Sequence, residues 1–162
     1  MFIKKNAIFD TTKKYRYLLM RQWSENNAQI TWIMLNPSTA DENIDDPTIR
    51  RCIGFSKLYN AGKMEIVNLF SYRSTTPQTL YTINDPIGKE TDQYILNSVK
   101  SADKVIIAWG NHGKLNNRSK YVINDLLSPY HNKIYTLKLL KNKEPGHPLY
   151  ISYSEQLKKL KV

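Results

Sequence analysis

What most restricts the fold of this chain is a series of short, continuously apolar runs separated by helix-length stretches. Ile30-Thr31-Trp32-Ile33-Met34-Leu35 is the first, and its lack of polar alternation is the pattern of a strand buried on both faces. It stops at Asn36-Pro37, because proline disfavours helix at the residue before it and brings no donor to a sheet. Lys63-Met64-Glu65-Ile66-Val67-Asn68 and Lys104-Val105-Ile106-Ile107-Ala108-Trp109 read as further strands, the second ending at Gly110, and residues 133–137 as a last one. A helix is expected from Pro47 to about Tyr59. Asp46 suits the N-cap, Pro47 the first helical position, and Ile49, Cys52, Ile53 and Ser56 fall on one face before Asn60-Ala61-Gly62 ends the helix. A second helix is expected over about 88–101, with Ile95, Leu96 and Val99 inward, and a third over about 118–127. Strands alternating with helices imply a parallel sheet with right-handed crossovers. Residues 3–9 and 15–23 alternate as an antiparallel hairpin, and residues 152–161 read as a short closing helix. The expected architecture is a single α/β domain over residues 1–162: three layers, α/β/α, with a short parallel sheet and an N-terminal β-hairpin.

A chain of 162 residues is long enough to bury one core. No apolar run approaches the roughly 20 residues that cross a bilayer, so no membrane partner is expected. The start, Met1-Phe2-Ile3-Lys4-Lys5-Asn6, lacks the apolar core of a secretion signal, which makes the cytoplasm the expected location. Cys52 is the one cysteine, cannot close an internal disulfide, and reads as a small core residue on a helix. His112, His131 and His147 are not spaced as a metal cluster, so neither zinc nor another cofactor is expected.

The formal charge of +10 is unevenly spread. Lys4, Lys5, Lys13, Lys14, Arg16 and Arg21 load the first hairpin, and lysines and Arg118 load the last third. The acidic stretch Asp41-Glu42-Asn43-Ile44-Asp45-Asp46 lies between them. Such a basic field attracts nucleic acid or nucleotide phosphates, and it is equally what a solvated lysine-rich surface looks like.

The polar motifs collect at one place on this frame. Asn36-Pro37-Ser38 follows the first buried strand, residues 68–73 the second, Trp109-Gly110-Asn111-His112 the third, and Gly146-His147-Pro148 comes after the fourth. The carboxyl ends of parallel strands share one edge, and ligands bind in the crevice there. Each residue also has a purely structural reading. Asn36 and Asn68 are able to tie their own loops, Asp46 to cap the helix, Arg50 and Arg51 to pair with the acidic loop, and His112 and His147 to sit at the surface.

Val-Ile-Ile-Ala-Trp-Gly-Asn-His-Gly-Lys over residues 105–114 resembles the strand and loop of uracil-DNA glycosylases that reads apolar strand, Trp-Gly-x-His, then Lys. His147-Pro148 stands where that superfamily carries a His-Pro-Ser motif. Ile33-Met34-Leu35-Asn36-Pro37-Ser38 and residues 66–75 are similar to the Asn-Pro-Gly and Asn-x-x-x-Arg-Thr-Thr segments of its mismatch-specific uracil/thymine branch. The blocks Asn-Pro-Ser-Thr-Ala-Asp, Asp-Asp-Pro-Thr-Ile-Arg-Arg-Cys and Asn-Leu-Phe-Ser-Tyr-Arg resemble a bacterial and phage family known only as a domain of unknown function. The glycosylase Gln-Asp-Pro-Tyr block is absent, Ser38 replaces a glycine, and Leu149-Tyr150 replaces the serine-containing wedge.

The resemblance implies a glycosylase-like fold with Asn36 holding a water, His147 donating to the base carbonyl and Asn68 reading the base edge. Pro37, Ser38, Phe70, Trp109, Gly110 and His112 would line the ligand, and Arg50, Arg51, Arg73 and Lys114 would meet phosphates. Asn36 is a neutral amide that orients water but takes no proton. Catalysis resting on it alone is expected to be slow unless Asp41, Asp45 or Asp46 reaches the pocket as a base. Two functions follow: hydrolysis of the N-glycosidic bond of a modified base in DNA or of a nucleoside derivative, or retention of an intact nucleotide, as by a phage sponge for a nucleotide immune signal. A DNA-binding accessory protein with an inert pocket is a third. The expected partner in each is a nucleotide, nucleoside or DNA.

Overall fold

The computed structural model describes residues 1–161. Its strands are β1 (Lys4–Phe9), β2 (Arg16–Gln22), β3 (Gln29–Met34), β4 (Lys63–Asn68), β5 (Lys104–Ile107), β6 (Ile134–Thr136) and β7 (Lys158–Lys159). They form one sheet in the order β1-β2-β4-β3-β5-β6-β7. β4, β3, β5 and β6 run parallel to one another, while β1 pairs antiparallel with β2, β2 with β4, and β7 with β6. The expected parallel sheet is therefore the centre of a wider mixed sheet, because the N-terminal hairpin adds to the β4 edge instead of standing apart.

β3 is buried along its whole length, which is why its sequence carries no polar alternation. Helix α1 (Pro47–Leu58) covers one face of the sheet, packing Ile49, Cys52, Ile53 and Phe55 against Ile30, Trp32, Met34, Met64 and Ile66. Helix α2 (Thr91–Ser101) and the segment from α3 (Arg118–Tyr121) into a π-helical turn (Val122–Leu126) cover the other face, against Ile33, Val67, Val105 and Ile107. Odd and even residues of one strand thus feed two separate cores, as the period of two demands. Asp46 caps α1 by accepting from Ile49 N at 2.9 Å, with Pro47 in the first turn.

Two expectations are corrected. α2 starts at Thr91 and not near Gly88, because Asp85 Oδ1 accepts from the amides of Ile87 and Gly88 and holds Gly88 at a left-handed φ of 96°. Residues 152–161 are not a helix. Tyr153 packs on Phe55 with ring centroids 4.7 Å apart, Tyr59 donates to Glu155 O, and the chain then pairs as β7 with the edge of β6. Covering a sheet edge and the end of α1 outweighs local helix propensity in that segment. No helix among the described residues is long and apolar enough to cross a membrane.

Candidate functional site

The connection after β3 leads through α1 to β4 on one side, and the connection after β5 leads to β6 on the other. The two loops diverge, and a crevice opens between the carboxyl ends of β3 and β5, the topological switch point of the sheet. A cavity of about 620 Å³ lies there. Asn36, Pro37, Ser38, Asn68, Trp109, Gly110, His112 and His147 all line it, so residues from four separate strand ends meet in one space.

Asn36 is anchored through its amide hydrogens. Nδ2 donates to Pro37 O at 3.1 Å and to Ser74 O at 3.0 Å, which ties the loop after β3 to the loop after β4. Its carboxamide oxygen is left as an acceptor. Asn68, the last residue of β4, is 1% exposed, and its Nδ2 has no hydrogen-bond partner among the described residues. A buried amide donor without a partner costs free energy comparable to a lost hydrogen bond, which sets Asn68 apart from the other strand-end residues.

His147 opens the short 3-10 turn Pro148–Tyr150, where its Nδ1 accepts from Leu149 N at 3.2 Å. Burial pulls its pKa below the usual histidine value of 6.5, and the charge of Asp46 opposes that only in part. The ring is therefore neutral at pH 7, with Nδ1 as acceptor and the proton on Nε2, a free donor. Asp46 lines the same cavity. Its Oδ1 is committed to the α1 cap, and Oδ2 makes no hydrogen bond among the described residues. Of the three acids considered from the sequence, it alone lines the cavity. Asp41 turns Oδ1 to Asn43 N and Ile44 N, and Asp45 pairs with Arg21 at 2.9 Å.

The loops after β5 and β6 are stitched into one wall. Trp109 Nε1 donates to Glu144 Oε2 at 2.6 Å, Gly110 N to Pro145 O at 2.8 Å, and Asn142 Nδ2 to Asn111 Oδ1 at 2.9 Å. Gly110 sits at φ 74°, ψ −162°, a conformation that side chains exclude. Trp109 is 1% exposed and held by Glu144, so it belongs to the frame of the wall rather than to a stacking platform. His112 Nδ1 lies 2.9 Å from Tyr81 Oη at the rim.

One cavity residue escapes sequence reasoning. Arg16 reads as part of a basic surface on the hairpin, yet it is 2% exposed and lines the cavity. The cause is a β-bulge: the β1–β2 register shifts between Ile8↔Leu18 and Phe9↔Arg16, leaving Tyr17 as the extra residue. Tyr17 then stacks on Tyr94 of α2 at 5.2 Å, and Arg16 is turned to the opposite, α1 side. Arg16 Nη1 donates to Ala40 O at 2.9 Å, while its Nε has no partner among the described residues. Burial lowers its pKa to about 10, opposed by Asp46, and it remains a cation at neutral pH.

Five other candidates stand outside this cavity. Phe70 is packed in the core on the α2 side. Arg50 Nη1 donates to Asp45 O, the pairing with the acidic loop that the sequence allowed. Arg51 donates to the carbonyls of Pro148 and Ile151 and lies over the Tyr153 ring at 3.9 Å. Lys114 is exposed and does not line the cavity. Arg73 donates to Ser38 O and Lys13 O and lines a smaller neighbouring hollow of about 270 Å³ with Lys13 and Lys14. That hollow shares Ser38, Ser74 and Thr75 with the main cavity. Cys52 is buried in α1, and burial raises its thiol pKa well above the usual value. No group of three or more His, Cys, Asp or Glu able to hold a metal is found among the described residues.

No curated protein and no solved structure matches the chain. A family model described as "Protein of unknown function (DUF1643)" matches residues 16–149. That span runs from Arg16 to Leu149 and takes in the cavity lining except Tyr150 and Ile151. The match covers well over half of the sequence, and the chain belongs to this family.

Proposed function

We propose that the cavity recognises a nucleobase and hydrolyses the N-glycosidic bond that joins it to a sugar. The observation that carries this reading is Asp46, a carboxylate with one uncommitted oxygen, lining the same space as Asn36, Asn68 and His147. The neutral amide of Asn36 cannot accept a proton, and Asp46 removes that objection.

In this reading a water held by Asn36 Oδ1 and Asp46 attacks the anomeric carbon, and its proton passes to Asp46. The C–N bond breaks with its electron pair going to the base. His147 Nε2–H and Asn68 Nδ2 donate to the base, whose negative charge grows in the transition state, and fixed donors aimed at developing charge lower the barrier. The resemblance of residues 33–38, 66–75 and 105–114 to uracil-DNA glycosylases supports the same chemistry, as does their meeting at the carboxyl edge of a parallel sheet. A nucleotide-retaining pocket without turnover is the second reading. It is favoured by the structural duties of Asn36, bonded to Pro37 O and Ser74 O, and of Asp46, bonded to Ile49 N.

A mass-spectrometric panel separates the two. The protein is incubated with uracil-, mismatch- and modified-base DNA and with free nucleosides and nucleotides, including cyclic ones, beside His147→Ala. Free base released by the parent and not by the variant supports hydrolysis. Intact nucleotide retained without free base supports the second reading, and neither outcome with any compound refutes both.

A further inference from the structure

Three arginines among the described residues have almost fully buried side chains, and two of them meet a carboxylate. Arg21 pairs with Asp45 and Arg118 with Asp92. Arg16, at 2% exposure, has no carboxylate within ion-pair distance among the described residues. Burying a cation without a paired anion is unfavourable. Among the described residues only Nη1 is bonded, to Ala40 O, so the Nε–Nη2 edge is the side left over. Two parallel N–H groups on that edge match two oxygens of one anion.

The bulge at Tyr17 puts Arg16 on the α1 side of the sheet, where it lines the cavity. Asn68, equally buried and with its own donor unpartnered, lines the same space. At about 620 Å³ the cavity has the size of sites that enclose a whole small ligand. Among the described residues Lys138 is a second cation in its lining and Asp46 the one acid, so this lining is cationic on balance.

We infer that Arg16 binds a phosphate monoester, and that the ligand class of this cavity is a free nucleoside monophosphate inserted whole. The inference rests on the nucleobase reading above and narrows it. A polymer entering base-first leaves its phosphates at the mouth, where an almost fully buried guanidinium does not meet them. A free nucleotide brings its phosphate in. The basic hollow of Lys13, Lys14 and Arg73 lies outside this site, and the monophosphate does not require it.

Calorimetric titration tests the assignment with nucleosides, their 5′-monophosphates and inorganic phosphate, on the parent, Arg16→Met and Asp46→Asn. For at least one base the monophosphate is expected to bind about ten- to a hundredfold more tightly than its nucleoside, the worth of a charge-assisted hydrogen-bond pair. Arg16→Met abolishes that preference and leaves nucleoside affinity in place. Asp46→Asn, which keeps a capping side chain and removes the negative charge beside Arg16, tightens inorganic phosphate. This second variant decides the matter if Arg16→Met does not fold.

Equal affinity for nucleoside and monophosphate overturns the Arg16 assignment and leaves the nucleobase reading standing. Phosphate binding lost in Arg16→Met, with no nucleoside or nucleotide bound, upholds the anion site and overturns the nucleobase reading. No binding by any probe overturns both.

Discussion

Asp46 has two jobs in this account, and two substitutions pull them apart. Its Oδ1 caps α1 through Ile49 N at 2.9 Å, and its carboxylate takes a proton from the attacking water. Asparagine caps a helix as well as aspartate does, while alanine does not. Both variants lose the carboxylate's attraction to the helix N-terminus, about 0.3–1 kcal/mol. Only Asp46→Ala also loses the cap bond, which costs about 1 kcal/mol more. In a domain of this size that difference lowers the Tm by about 2–4 °C relative to Asp46→Asn. Base release, in contrast, falls equally in both, by about 10²–10⁴-fold, because neither side chain accepts a proton. Thermal unfolding followed by circular dichroism gives the first quantity, and chromatographic counting of free base gives the second. Parental turnover by Asp46→Asn refutes Asp46 as the base. Equal Tm values for the two variants refute the capping argument.

Stability also depends on pH through His147, whose pKa in the fold lies below the 6.5 of the free side chain. The unfolded chain takes up this proton first, so the parent loses stability as pH falls below about 6.5, and His147→Ala flattens that part of the Tm profile. A profile unchanged by the substitution contradicts the assigned burial. A β-carbon at Gly113 would overlap the Trp109 indole, so Gly113→Ala forces the wall of the cavity apart. It is expected to destabilise by about 1–3 kcal/mol in urea unfolding, and a variant as stable as the parent shows that the indole has room to move. Cys52 is buried with its thiol pKa raised, so the native protein resists an aromatic disulfide reagent and reacts only in denaturant. Rapid labelling of the native protein contradicts that burial.

The central strands were legible because residues buried on both faces leave no polar alternation to interpret. Residues 63–68 coincide with β4, and β3 and β5 differ from the apolar runs only at their ends. The capping pair Asp46-Pro47 located α1 for an equally local reason. Asn36, Asn68, Trp109, Gly110 and His147 could be gathered because strand ends of a parallel sheet are close whatever the loops do. What failed was information carried by pairing rather than by composition. The direction of Arg16 depends on a register shift against β1, which strict alternation along residues 15–23 hides. The tail follows a sheet edge, and no helical or strand period announces that. Arg51 lies in the first turn of α1 beside an open crevice, yet its guanidinium is spent on two backbone carbonyls and the Tyr153 ring. A sequence places an arginine near a cavity without saying whether its donors are already taken.

Hydrolysis in ¹⁸O-labelled water shows which bond is cut in this cavity. The nucleoside and nucleotide panel is incubated with the parent and with Asp46→Asn, and both products are weighed by mass spectrometry. One labelled oxygen is expected on the freed sugar, with an unlabelled free base and loss of both products in the variant. Label on the base, or nucleotides recovered intact, contradicts cleavage of the glycosidic bond in this cavity.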